Sequence, residues 1–110
     1  MEQDEPGRIT DATEVLLQAI LERNDVELDE VVSIIFTSTP DLTSEFPAAA
    51  ARRIGLADVP LLCASEIGVP GALERCVRVL LHVYTDRARE DLRHVYLGGA
   101  RALREDLAQD

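Results

Sequence analysis

Residues 59–84 read V-P-L-L-C-A-S-E-I-G-V-P-G-A-L-E-R-C-V-R-V-L-L-H-V-Y, two apolar runs joined by a turn at Gly68, Val69, Pro70 and Gly71. Cys63, Glu66 and Arg78 lie in or beside those runs. An arginine in an apolar run is costly to bury unless an anion meets it. Two readings follow. Arg78 and Glu66 form a structural ion pair, or a guanidinium fork and a carboxylate are held together for a small anionic, hydroxylated ligand. Spacing alone favours the ion pair. Competing chemistry is sparse: the chain has no Gly-rich phosphate loop, no nucleophile elbow and no Ser/His/Asp ordering. His82 and His94 are the two histidines and stand in no metal-ligand spacing, so no metal is expected. Cys76, within an apolar run, reads as packing.

The elements that must hold these residues follow from periodicity. Residues 1–10 are polar, contain Pro6 and Gly7, and read as loop. Residues 11–24 predict an amphipathic helix, with Asp11 and Glu14 at capping-box spacing and Asn24 as a stop. Its apolar face is Ala12, Val15, Leu16, Ala19 and Ile20, widened by Leu17 and Leu21. Residues 31–37 are β-branched and nearly all apolar, which predicts a central strand covered on both faces. Pro47 and Gly55 bracket a short helix over residues 48–54. Residues 59–64 predict a short strand, placed at an edge or strand start by Pro60. Residues 77–85 fit a helix stripe and a strand equally well. Residues 94–97 read as a short strand, and 98–107 as a turn followed by a short helix.

The chain has 110 residues, so one domain is the default. A net charge of -10 argues against nucleic acid and anionic membranes as partners. All 11 basic residues are Arg, a choice that suits forked recognition of carboxylates but also follows from GC-rich coding. The two cysteines form no C-x-x-C pair, and no long apolar span or signal peptide is visible, so a soluble, cytoplasmic protein is expected.

Four blocks in order carry a resemblance: F-T-S-T-P-D-L-T-S-E-F-P-A-A-A-A-R-R-I-G, V-P-L-L-C-A-S-E-I, G-A-L-E-R-C-V-R-V and R-H-V-Y-L. Together they resemble the monofunctional, trimeric (AroH-type) chorismate mutases. The fold class this implies is α/β (α+β). A mixed β-sheet is packed by one long helix and short helices, three chains forming a pseudo α/β barrel trimer. It also decides residues 77–85 as a strand. The activity it implies is a [3,3] pericyclic rearrangement of chorismate to prephenate in aromatic amino-acid biosynthesis, without proton transfer, covalent intermediate or cofactor. Such an enzyme orients a flexible substrate and stabilises charge as the C–O bond breaks.

Carried over residue by residue, the resemblance implies that Arg78 faces the breaking ether oxygen and that Glu66 accepts a hydrogen bond from the substrate hydroxyl. It makes Tyr96 a ligand of a substrate carboxylate and Cys63 a pocket-lining neighbour of Glu66. Phe46, Ala48 and Arg52 would face Arg78 of the next chain in a homotrimer, and Arg104 would fold towards the pocket. For Arg52 and Arg104 a solvated helix charge is an equal reading. The chain departs from the family at Ala49, where a Lys is common, and ahead of M-E-Q-D-E, where relatives carry an R-G-x-R-G-A strand with a carboxylate-binding Arg. Nothing in the chain matches that strand. Met1 stands where relatives have Val, which suggests a GTG valine codon taken for a start. A catalytically weak or inactive trimeric relative, a binding or regulatory module, is therefore the alternative. A clearing domain of the same trimeric shape, such as a reactive-imine deaminase, fits the quoted blocks less well.

Overall fold

The computed structural model describes residues 6–98. Helix α1 (Pro6–Arg23) leads through a 3-10 turn (Leu28–Glu30) into strand β1 (Val31–Ser38). Helix α2 (Ala48–Arg53), strands β2 (Leu61–Ser65) and β3 (Val77–Val83) and a 3-10 turn (Arg89–Asp91) follow. The strands form one mixed sheet in the order β2-β1-β3, β1 running parallel to β2 and antiparallel to β3. Among the described residues no helix is long and apolar enough to cross a membrane.

Helix α1 begins at Pro6, ahead of the expected start at Asp11. Proline is tolerated in a first turn, where its missing N–H has no intrahelical partner to lose. The extra turn is held by burial: Ile9 is fully buried, and Thr13, Leu17 and Leu21 continue the same i, i+4 row. The expected apolar face is therefore rotated. Val15 is 57% exposed, while Thr13 occupies a core position because its hydroxyl donates to the Ile9 carbonyl at 2.7 Å. The helix ends as Asn24 suggests. Asp25 adopts φ 53, and the N–H groups of Val26 and Asp25 return to the carbonyls of Leu21 and Glu22 at 2.9 and 3.2 Å. Helix α2 closes with the same pair of bonds, from Leu56 to Ala51 and from Gly55 to Arg52, with Gly55 at φ 102.

Strand β1 is central, but among the described residues only one of its faces is covered. Ile34 and Phe36 are buried with Leu17, Leu21, Ala48, Ala50, Ala51 and Leu56 beneath the helices. The opposite face is open, and strand pairing orders it in rows. Leu62, Ile35 and Leu80 form one row, and Ala64, Thr37 and Arg78 the next. Leu62 and Leu80 are 59% and 56% exposed.

Residues 94–97 form no strand, contrary to expectation. Just before them, Arg93 is held by a side chain. Its N–H donates to Asn24 Oδ1 at 2.6 Å and its carbonyl accepts from Asn24 Nδ2 at 2.9 Å, so one amide side chain takes the place of a strand partner. The edge of β3 away from β1 pairs with no strand among the described residues. A groove of about 810 Å³ lies beside it, walled by Ala12, Leu16 and Ile20 of α1 and by residues 92–98.

Candidate active site

Arg78 stands on the open face of β3, directly opposite Thr37 of β1. Alternation along the strand, rather than burial, positions it, and its side chain is 57% exposed. Glu66 lies just beyond β2 and is tied to the sheet by its N–H, which donates to the Ser38 carbonyl at 2.9 Å. Its carboxylate turns back over Thr37. Arg78 Nε approaches Glu66 Oε2 at 3.2 Å, and the Thr37 hydroxyl donates to the same oxygen at 2.6 Å.

Two contacts on one oxygen have a chemical consequence. Among the described residues, no hydrogen bond or ion pair reaches Glu66 Oε1 or the two Nη groups of Arg78. The pair therefore presents an acceptor and a two-pronged cationic donor side by side, instead of closing on itself as a fork–fork bridge. The ion pair that spacing suggests exists, and it leaves the groups that a hydroxylated anion needs.

Arg78 borders two hollows. One is the groove beside β3, which Tyr96 also lines. The other, about 460 Å³, is shared with Glu66 and enclosed by Thr39, Pro40, Asp41 and the 67–74 loop. That loop is anchored at its far end. Thr39 and Cys76 exchange bonds, Thr39 N–H to the Cys76 carbonyl and Cys76 N–H to Thr39 Oγ1, both at 3.0 Å. Asp41 accepts from the N–H of Arg75, which adopts φ 49, at 2.9 Å. Burial pushes the Asp41 carboxyl up, but bonds from Thr39, its own backbone and Arg75, with the Arg75 charge, outweigh it and hold it below its ordinary value. Burial pushes the Cys76 thiol up, and the Glu66 charge adds to this, so Cys76 is a protonated packing residue rather than a nucleophile.

The other expected site residues divide. Tyr96 is half-buried in the groove with Arg78. Phe46 is 68% exposed, an aromatic ring largely uncovered among the described residues. Arg52 is exposed on α2, whereas Arg53 bridges to Asp11 at 3.0 Å and Glu14 at 3.6 Å and ties α2 to α1. Two side chains lie away from the site. Cys63 pairs with Phe36 and packs against the core, on the face opposite Thr37 and Arg78, because paired residues share a face and Phe36 faces the core. Ala48 is 3% exposed, its methyl within its own chain's core. Arg104 lies outside the described residues. Sequence reasoning missed Thr37. Its signal was a hydroxyl at a position that alternation assigns to the face of Arg78.

Comparison with known proteins adds the family. The model of chorismate mutase type I matches residues 1–107. The chorismate mutase AroH of Thermus thermophilus is 50% identical over 108 residues, covering 97% of this chain and 88% of that protein. The chorismate mutase AroH of Bacillus subtilis (strain 168) is 39% identical over 109 residues, covering 98% and 86%. A solved chorismate mutase from Clostridium thermocellum superposes with a TM-score of 0.90 at 46% identity, over 92% of this chain and 90% of that one. By sequence over nearly its whole length, and by fold, the chain belongs to the type I chorismate mutase family.

Proposed function

We infer that the chain isomerises chorismate to prephenate, and that Arg78 and Glu66 carry the reaction. The observation that carries this reading is the single-oxygen contact between them, which among the described residues leaves Glu66 Oε1 and the Arg78 Nη groups without a hydrogen bond. The rearrangement needs no proton moved and no bond to the protein. It needs the substrate held compact, and positive charge where the ether oxygen gains electron density. In this reading Glu66 Oε1 accepts from the substrate hydroxyl, Arg78 faces the ether oxygen, and Tyr96 at the groove wall binds a carboxylate. Prephenate formation by the purified protein tests the activity.

The partner in this account is a second and third copy of the chain, in a cytoplasmic homotrimer. The row of Leu62, Ile35 and Leu80 and the exposed Phe46 support it, because a small domain gains by covering such surface. Phe46 and Arg52, and Arg104 from the C-terminal segment, would complete the wall opposite Arg78. Mixing an Arg78→Ala chain with an Arg52→Ala chain is then expected to recover activity that neither has alone. A monomer by light scattering at micromolar concentration contradicts the shared site.

A further inference from the structure

We propose that Thr37 is a positioning residue for the rearrangement: its hydroxyl holds the Glu66 carboxylate end-on, so that Oε1 stays available to the ligand. The inference rests on the reading of Glu66 and Arg78 given above.

Left to themselves, a carboxylate and a guanidinium favour the two-bond fork, which engages both carboxylate oxygens. Here, among the described residues, only Oε2 is engaged. The Thr37 hydroxyl donates to that oxygen at 2.6 Å, shorter than the 3.2 Å contact from Arg78 Nε. The donor is itself well fixed. Thr37 sits in the central strand with Ala64 on one side and Arg78 on the other, and a β-branched side chain on a strand has few χ1 choices. The Glu66 backbone is anchored next door through Ser38, so the carboxylate has one end tied by the main chain and one oxygen tied by Thr37. The 18% exposure of the Glu66 side chain means that water competes weakly for that oxygen. Rotating the carboxylate into a fork would turn Oε1 onto Arg78 and occupy an Nη group, removing an acceptor and a donor from the ligand together.

The test uses Thr37→Val, which keeps the shape and removes the donor, and Thr37→Ser, which keeps the donor. Expected for Thr37→Val is a kcat lower by about tenfold to a hundredfold, the range for one hydrogen bond to a charged group, with KM changed much less. Thr37→Ser should recover kcat to within about threefold of the parent, and in a Glu66→Gln background Thr37→Val should have almost no further effect. A parental kcat in Thr37→Val, failure of Thr37→Ser to rescue it, or an undiminished loss in the Glu66→Gln background overturns the proposal. A crystal structure of Thr37→Val gives a readout independent of turnover. Glu66 should rotate so that both oxygens meet Arg78, and an unmoved carboxylate contradicts the role. If the parent chain itself yields no prephenate, the functional reading fails, and the crystal structure still decides what Thr37 does to Glu66.

Discussion

Replacing Arg78 by Ala is expected to lower chorismate turnover by about 100- to 1,000-fold, the cost of deleting one preorganised donor to a developing oxyanion. The loss falls mainly on kcat, because charge gathers on the ether oxygen only as the C–O bond breaks, and a group aligned with that oxygen acts on the transition state. Arg78→Lys should recover little. An ammonium can meet Glu66 as a point charge, but it lacks the geometry in which Nε holds Oε2 while two Nη groups remain for the ligand. The fold should tolerate both changes, since the side chain is 57% exposed. Steady-state kinetics with melting curves on the same preparations check this. Near-parental kcat in the Lys variant would remove Arg78 from the proposed role.

Phe36→Ala is expected to destabilise the protein by about 3–5 kcal/mol, the range for truncating a buried aromatic. Phe36 is 0% exposed and lies where β1 meets both helices, beside Ile34, Leu17 and Ala48. Against the roughly 5–15 kcal/mol that holds a domain folded, that is a large fraction. The effect should reach the site as well. Phe36 is bonded to Thr37 in the chain and pairs with Cys63 and Val79, whose strands lead to Glu66 and Arg78. Urea unfolding at fixed protein concentration should show a lower midpoint with an unchanged slope. A midpoint within error of the parent would mean that this cluster is not the core.

What the sequence made legible was the local chemistry of backbone and period. The β-branched run of β1, Pro47 before α2, and Gly55 at φ 102 after it are each decided within a few residues. What it concealed depends on partners distant in sequence. Helix α1 starts early because Ile9 finds a core, and Thr13 joins that core by satisfying its hydroxyl on the preceding turn. Residues 94–97 have strand-like composition, but the adjacent backbone is held by Asn24, 69 residues away from its Arg93 partner. At the site, the pairing of Arg78 with Glu66 was legible from charge and spacing. The direction of Cys63 was not, because the resemblance matches a residue type without its face, and pairing with Phe36 turns that side chain inwards. Thr37 was hidden for the opposite reason. A threonine in a strand is unremarkable until the register sets it against Arg78.

The central claim is that Arg78 and Glu66 form a working site for chorismate, and one assay bears on it most directly. The purified chain is incubated with chorismate, and the loss of chorismate absorbance is followed together with the appearance of prephenate, beside the Arg78→Ala variant at equal concentration. The account predicts prephenate formed in step with chorismate lost by the parent, and a rate about 100- to 1,000-fold lower in the variant. A folded parent chain that leaves chorismate unchanged, or a variant as fast as its parent, would contradict it.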